Sequence, residues 1–128
     1  MPDVQNKYDD EHVTLWLENG IAFAKYKNTL INLDAAKSIV KERLKLFNDN
    51  SYPCLAYMMS KVDYTKDARD YFASNEGGKN MKCLALMISN PVQRIMGNFY
   101  LSVSKPSIPT KLFTREEEAI AWVNSFKN

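Results

Sequence analysis

Histidine is almost missing from this chain, and its scarcity excludes more chemistry than any single motif suggests. His12 stands alone among 128 residues. One such residue cannot supply a histidine-based triad or a multi-histidine metal site within a chain. It has no neighbouring motif and reads as a solvated surface residue. Cysteine is nearly as rare. Cys54 and Cys83 sit inside apolar runs and are not spaced C-x-x-C, which removes zinc-ribbon and redox motifs and points to reduced, buried thiols. The glycines Gly20, Gly77, Gly78 and Gly97 form neither a phosphate loop nor a dinucleotide fingerprint. Neither sign of charge dominates: the net charge of +2 predicts no nucleic-acid or anionic-membrane surface. No apolar run approaches the roughly 20 residues that span a bilayer. Met1 to Glu11 is polar and acidic, unlike a signal peptide, so the expected setting is cytoplasmic. No cofactor or metal is expected.

What the chain does have is ordinary globular composition, 45% hydrophobic and 25% charged, at a length suited to one domain. Residues 1–11 show no apolar period and are expected to fray. Val13, Leu15 and Leu17 then alternate as in a half-buried strand, and Ile21 and Phe23 continue the pattern after Asn19-Gly20. Asn-Gly between two such runs predicts a hairpin with a type I′ turn. Asn32 is a natural cap for a helix whose stripe is Leu33, Ala36, Ile39, Val40, Leu44 and Phe47, with Lys37, Lys41, Glu42 and Lys45 opposite. Asn48-Asp49-Asn50-Ser51 ends it. Residues 54–62 read as a buried strand. Thr65 caps a second helix with Ala68, Tyr71 and Phe72 inward, and Gly77-Gly78 is expected to end it with a left-handed residue. Cys83 to Ile88 is a further buried strand.

Asn90-Pro91 is the clearest helix start, an Asn cap with proline in the first turn. Val92, Ile95, Met96, Phe99, Tyr100 and Val103 make a broad apolar stripe, so Phe99 and Tyr100 are expected in the core. The prolines of Lys105-Pro106-Ser107-Ile108-Pro109 fix a rigid loop. Lys111-Leu112-Phe113 is a short last strand. Thr114 with Glu117 suggests a capping box on a final helix with Ala119, Ile120, Trp122, Val123 and Phe126 inward. The order is β-β-α-β-α-β-α-β-α. It predicts an α/β fold in which strands after the hairpin are parallel, over a single domain at 12–127.

The acidic groups Glu116–Glu118 and Asp63, Asp67, Asp70 read as solvated helix starts rather than acid–base pairs. Trp16 points away from Leu15 and Leu17, to be covered by a loop or by another subunit. The most informative positions are two helix starts after buried strands: Asp63-Tyr64-Thr65-Lys66 and Asn90-Pro91-Val92-Gln93-Arg94. Unpaired amides and the helix dipole favour anions there, and Lys66 and Arg94 could reinforce them; capping alone explains the same residues.

The element order, with the stretch from Asp63 to Phe72, the run Met81 to Pro91, Gly97-Asn98-Phe99, Pro109 to Phe113, and Glu116 to Ala119 with Trp122, resembles the STAS domain and more closely the SpoIIAA-like bacterial proteins. The resemblance covers about residues 12–127. It implies a β-α superhelix with an N-terminal hairpin and a mostly parallel sheet in sequential order. It also implies a regulatory, protein-binding role of the anti-sigma-factor-antagonist kind. Several relatives are switched by phosphorylation of a serine or threonine following an aspartate at the start of the helix after the third strand. Asp63 matches that aspartate; Tyr64 stands where the family has serine, and Thr65 is the nearest hydroxyl and the candidate phosphoacceptor. The superfamily also holds the lipid-binding CRAL-TRIO domains.

Two readings therefore compete. The first is a non-enzymatic interaction module with Asp63, Tyr64, Thr65, Lys66, Arg69, Asn90, Gln93 and Arg94 as its surface, an exposed Thr65 and no deep pocket. The second is a carrier of a small apolar or anionic ligand, lipid or nucleotide, needing a cavity of about 300 Å³ or more. Met58, Met59, Met87 and Met96 suit either an adaptable pocket or an ordinary core. Catalysis ranks last, since no nucleophile–base arrangement is present. Homodimerisation through a sheet face or the hairpin edge stays open.

Overall fold

The computed structural model describes residues 6–58 and 62–127. A type I′ turn needs positive φ at two successive residues, and Asn19 (φ 54°) and Gly20 (φ 77°) provide it. The flanking strands β2 (Val13–Glu18) and β3 (Ile21–Tyr26) pair antiparallel, with Trp16 opposite Phe23. The segment expected to fray holds an edge strand, β1 (Lys7–Asp9), antiparallel to β2. Three residues are too few to show a period; the strand is set by Asp10. Its carboxylate accepts from the amides of His12 (2.7 Å) and Val13 (2.9 Å) and from the Tyr8 hydroxyl (2.7 Å). His12 thus lies in a tight turn, its ring half-buried with Nδ1 3.4 Å from Thr29 Oγ1, rather than on a loose tail.

Burial alone would raise the Asp10 pKa; the Tyr8 hydroxyl and the two amides outweigh it and hold the group below the ordinary aspartate range. A carboxyl with a lowered folded-state pKa stabilises the fold above its unfolded value, about 3.9, and that contribution is lost as pH falls through the folded value. NMR titration from pH 6 to 2 is expected to show the Asp10 carboxyl titrating below 3.9, with the β1–β2 pairing melting in the same step. Asp10→Asn is expected to abolish the step; titration at or above the ordinary value would contradict the account.

Beyond the hairpin the pairing is parallel. Among the described residues the main sheet runs β1-β2-β3-β5-β7-β8, with β5 (Tyr52–Met58), β7 (Met81–Met87) and β8 (Thr110–Phe113) following β3 in the same direction. The strand expected over 54–62 ends its described part at Met58; residues 59–61, and with them Met59, lie outside the described residues. A small parallel pair not foreseen from the sequence, β4 (Leu30–Ile31) with β6 (Asp63–Tyr64), precedes the first two helices.

Helix α1 (Leu33–Phe47) starts where Asn32 accepts from Ala35 N at 2.9 Å and ends at Asn48, φ 49°. Ala36, Ile39, Val40 and Phe47 are buried on its stripe, and so is Arg43. Helices α2 (Lys66–Ala73) and α3 (Pro91–Phe99) cover the same sheet face. Helix α3 continues as a π-helical turn, Tyr100–Ser104. Helix α4 (Glu116–Asn124) covers the other face, where Ala119 and Val123 pack on Ile21, Phe23, Leu55, Cys83, Ala85 and Phe113. Trp16 points to that side as expected and lies parallel to Phe23, ring centroids 5.2 Å apart, and to Tyr57 at 6.5 Å. Both cysteines are buried and unbridged. No helix among the described residues is long and apolar enough to cross a membrane.

Three local expectations fail for physical reasons. First, α2 stops at Ala73 with an extended Ser74, and neither Gly77 nor Gly78 has positive φ. Gly77 is required by close approach instead: a Cβ there would lie 2.0 Å from the Tyr71 carbonyl oxygen. Second, the Thr114–Glu117 box does not form. The helix starts one residue later, after Arg115, whose guanidinium draws Glu117 (2.9 Å) and Glu118 (3.5 Å) to itself. Third, the α3 stripe is not core. Its buried residues are Gln93 and Gly97, while Val92 is 64% exposed, Ile95 69%, Phe99 46% and Val103 60%. Tyr100 is half-buried.

Candidate functional site

The two helix starts singled out in the sequence lie beyond the carboxyl ends of β5 and β7, but their residues do not form one surface. Asp63, Lys66 and Arg94 are exposed. Asp63 Oδ1 accepts from Tyr64 N at 2.8 Å, and Lys66 pairs with Asp70 at 2.8 Å. The Thr65 hydroxyl, half-buried, accepts from Ala68 N at 3.3 Å and donates to Asp67, so the candidate phosphoacceptor serves as the α2 cap. Asn90 caps α3 by accepting from Gln93 N at 2.9 Å.

Two of the expected surface residues turn inward. Gln93 is 9% exposed. Its Oε1 accepts from Ser89 N (2.7 Å) and Ser89 Oγ (3.1 Å), and its Nε2 donates to the Met58 carbonyl at 3.3 Å. The side chain therefore ties the ends of β5 and β7 together and is not a contact for a partner. A glutamine in an amphipathic stripe gives no sign of this, because the Met58 carbonyl it reaches belongs to a strand 35 residues earlier in the chain. The Tyr64 ring packs edge-on against Tyr26 and Phe72, with its hydroxyl 3.5 Å from Met58 Sδ. Arg69 donates to the Tyr64 carbonyl at 3.1 Å, and its guanidinium carbon lies 5.4 Å from the centre of the Phe99 ring.

Behind these turns, between the sheet and α1–α3, lies a partly open cavity of about 150 Å³. Its floor is made of small side chains, Ala22, Ala24, Cys54 and Ala56, on the two central strands. Gly97 lines the cavity too, at a point of close approach: a Cβ there would lie 2.8 Å from Leu112. The walls are apolar apart from Arg43, Arg69, Gln93 and the phenols of Tyr26, Tyr64 and Tyr100. Burial pushes the Tyr26 pKa up to about 12 and raises Tyr64 and Tyr100 as well, so all three stay neutral donors at ordinary pH. Arg43 Nη1 donates to the Gly77 carbonyl (2.9 Å) and Nη2 to the Lys79 carbonyl (2.8 Å). Among the described residues the buried Nε groups of Arg43 and Arg69 have no hydrogen-bond partner. Sequence reasoning missed Arg43, although a signal was there. It sits four residues after Ile39 and four before Phe47, on the apolar stripe itself.

A second depression, of about 370 Å³, lies between the hairpin and α4. Its aromatic donors are engaged: Trp16 Nε1 donates to Glu18 at 3.1 Å and the Tyr57 hydroxyl to Glu116. Among the described residues no group of three histidine, cysteine or acidic side chains is placed to hold a metal.

The outer face of α3 is the other distinctive feature. Val92, Ile95, Phe99 and Val103 recur at helical spacing and share an exposed flank. Between Glu76 and Glu116 the chain carries no carboxylate, and its charges there are Lys79, Lys82, Arg94, Lys105, Lys111 and Arg115.

Comparison with known proteins agrees with this architecture. A crystal structure of an uncharacterised protein of the DUF3478 family from Shewanella loihica PV-4, described as having a SpoIIAA-like fold, superposes with a TM-score of 0.62 at 12% identity. It covers 91% of this chain and 98% of that one, and the SpoIIAA-like fold is thereby established here. A protein of unknown function from Arthrobacter sp. FB24 is 26% identical over 85% of this chain and 90% of its own, with a TM-score of 0.33. No curated protein is similar enough to match. A family model described as a domain of unknown function, DUF7793, matches residues 15–127.

Proposed function

We propose that this chain, which belongs to the DUF7793 family, is a non-enzymatic interaction module that docks another protein on the outer face of α3. The resemblance to regulatory STAS domains supports the general role. The observation that carries it is the exposed stripe of Val92, Ile95, Phe99 and Val103, since large apolar side chains gathered on one helix flank favour burial against a partner. Charge selects the kind of partner. The stripe is accompanied by the exposed Arg94 and Lys105, and the α3 unit has no acidic residue of its own. A second copy would bring cations against cations, whereas a segment with apolar residues flanked by aspartate or glutamate meets both features.

A photo-crosslinking residue at position 95, with position 41 on the exposed face of α1 as control, identifies the partner in the native host. The purified partner is expected to bind the purified chain through an acidic, apolar segment. Ile95→Asp is expected to weaken that binding at least about tenfold with no loss of stability, as for truncation of a buried anchor. Three results would overturn the reading: crosslinks only to a second copy with a dimer abolished by Ile95→Asp, binding to anionic vesicles in place of protein, or a partner whose affinity is indifferent to the substitution.

A further inference from the structure

We propose that the cavity between the sheet and α1–α3 is a binding site for a small organic anion, a monocyclic aromatic or short aliphatic carboxylate. This is independent of what docks on α3. Volume sets the body of the ligand. About 150 Å³ accommodates a group the size of benzene, whereas a lipid or nucleotide needs at least about twice that space. The floor of Ala22, Ala24, Cys54 and Ala56, flanked by Leu84, Leu86 and Met96, offers such a group an apolar bed.

Charge sets the head of the ligand. Arg43 is 8% exposed, lines the cavity and, among the described residues, keeps an Nε donor without a partner; Arg69, from α2, lines it as well and has a buried Nε in the same condition. Among the described residues neither arginine has a carboxylate within ion-pair distance. Arg43 is fixed by the Gly77 and Lys79 carbonyls, which accept its hydrogen bonds without neutralising it. A buried cation with an idle donor favours a ligand that brings negative charge and an acceptor together. Water supplies the acceptor only. A carboxylate supplies both, and the neutral phenols of Tyr26 and Tyr100 add donors to the same space.

Calorimetry and thermal unfolding with benzoate, hexanoate and the neutral isostere benzyl alcohol test the site. Benzoate and hexanoate are expected to bind at least about tenfold more tightly than benzyl alcohol, the ratio typical of a charge-assisted hydrogen bond. Arg69→Met is expected to reduce that ratio, and Arg43→Met to bring it close to one. Ala56→Leu, which fills the floor and leaves both arginines in place, is expected to remove binding of all three even if Arg43→Met does not fold. Equal binding of benzoate and benzyl alcohol would reduce the cavity to an apolar void. Absence of any binding, or benzoate binding that survives Ala56→Leu, would overturn the proposal outright.

Discussion

Gly77→Ala is expected to destabilise the protein by about 3–5 kcal/mol, the range of severe steric insertions into packed backbone. The added Cβ would lie 2.0 Å from the Tyr71 carbonyl oxygen and 2.8 Å from Phe72 Cα. These are backbone atoms of the last turn of α2, so no rotamer change relieves the clash. Either the 74–80 turn lifts off or α2 loses its last turn, and Tyr71 and Phe72, which pack on the cluster of α1 and β2, move with it. With a urea dependence of about 1.5 kcal/mol per molar for a domain of this size, the midpoint should fall by about 2–3 M. Tryptophan fluorescence from Trp16 and Trp122 reports it. Gly78→Ala is the control: its nearest neighbour is the Ser107 hydroxyl, 2.9 Å away, which can turn aside at the loss of its hydrogen bond to the Ser74 carbonyl (3.1 Å), so the expected cost is about 1 kcal/mol. Equal effects at the two positions would refute the close-approach argument.

Arg43→Ala comes next in size, an expected loss of about 2–4 kcal/mol from two competing effects. Each guanidinium bond to a carbonyl, at 2.9 Å to Gly77 and 2.8 Å to Lys79, is worth about 1.5–3 kcal/mol, and both carbonyls would be left with fewer donors. The stem also packs beside Phe47, whose ring centre is 5.6 Å from the guanidinium carbon. Against this, burial disfavours the cation, as the lowered pKa of Arg43 records, and alanine removes that penalty. The bonds win because two fixed carbonyls match the planar fork. Arg43→Lys should therefore recover less than half of the loss, since one ammonium cannot reach both oxygens in that geometry. Because Gly77 and Arg43 hold the same turn, the double variant should be less destabilised than the sum of the singles. Strict additivity in urea melts would show that the turn is not held as a unit.

Both expectations concern a turn whose importance the sequence conceals. Gly77-Gly78 after a helix suggests a left-handed stop, and only the position of α2 shows that Gly77 is required by contact. The same holds for Gln93 and Arg43. Polar residues on apolar stripes are visible as irregularities, but their acceptors at Met58, Gly77 and Lys79 come from elements distant in the chain. Of the expected surface, the caps Thr65 and Asn90 were legible because capping is local. The splitting of that surface into exposed Asp63, Lys66 and Arg94 and inward Tyr64 and Gln93 was not.

Sequence alone determined what depends on neighbours within about one turn or one strand pair. That covers the Asn19-Gly20 hairpin, the Asn32, Thr65 and Asn90 caps, the parallel βα units and the SpoIIAA-like architecture they build. Only the tertiary structure decided which apolar stripe is covered. The α1 and α3 stripes read alike, yet Ile39 and Phe47 are buried while Ile95 and Phe99 face outward. Periodicity states that a helix has an apolar flank; the direction of that flank depends on where the next layer stands. Here α3 comes so close to Leu112 that only the Gly97 side fits inward, and the larger residues stay outside.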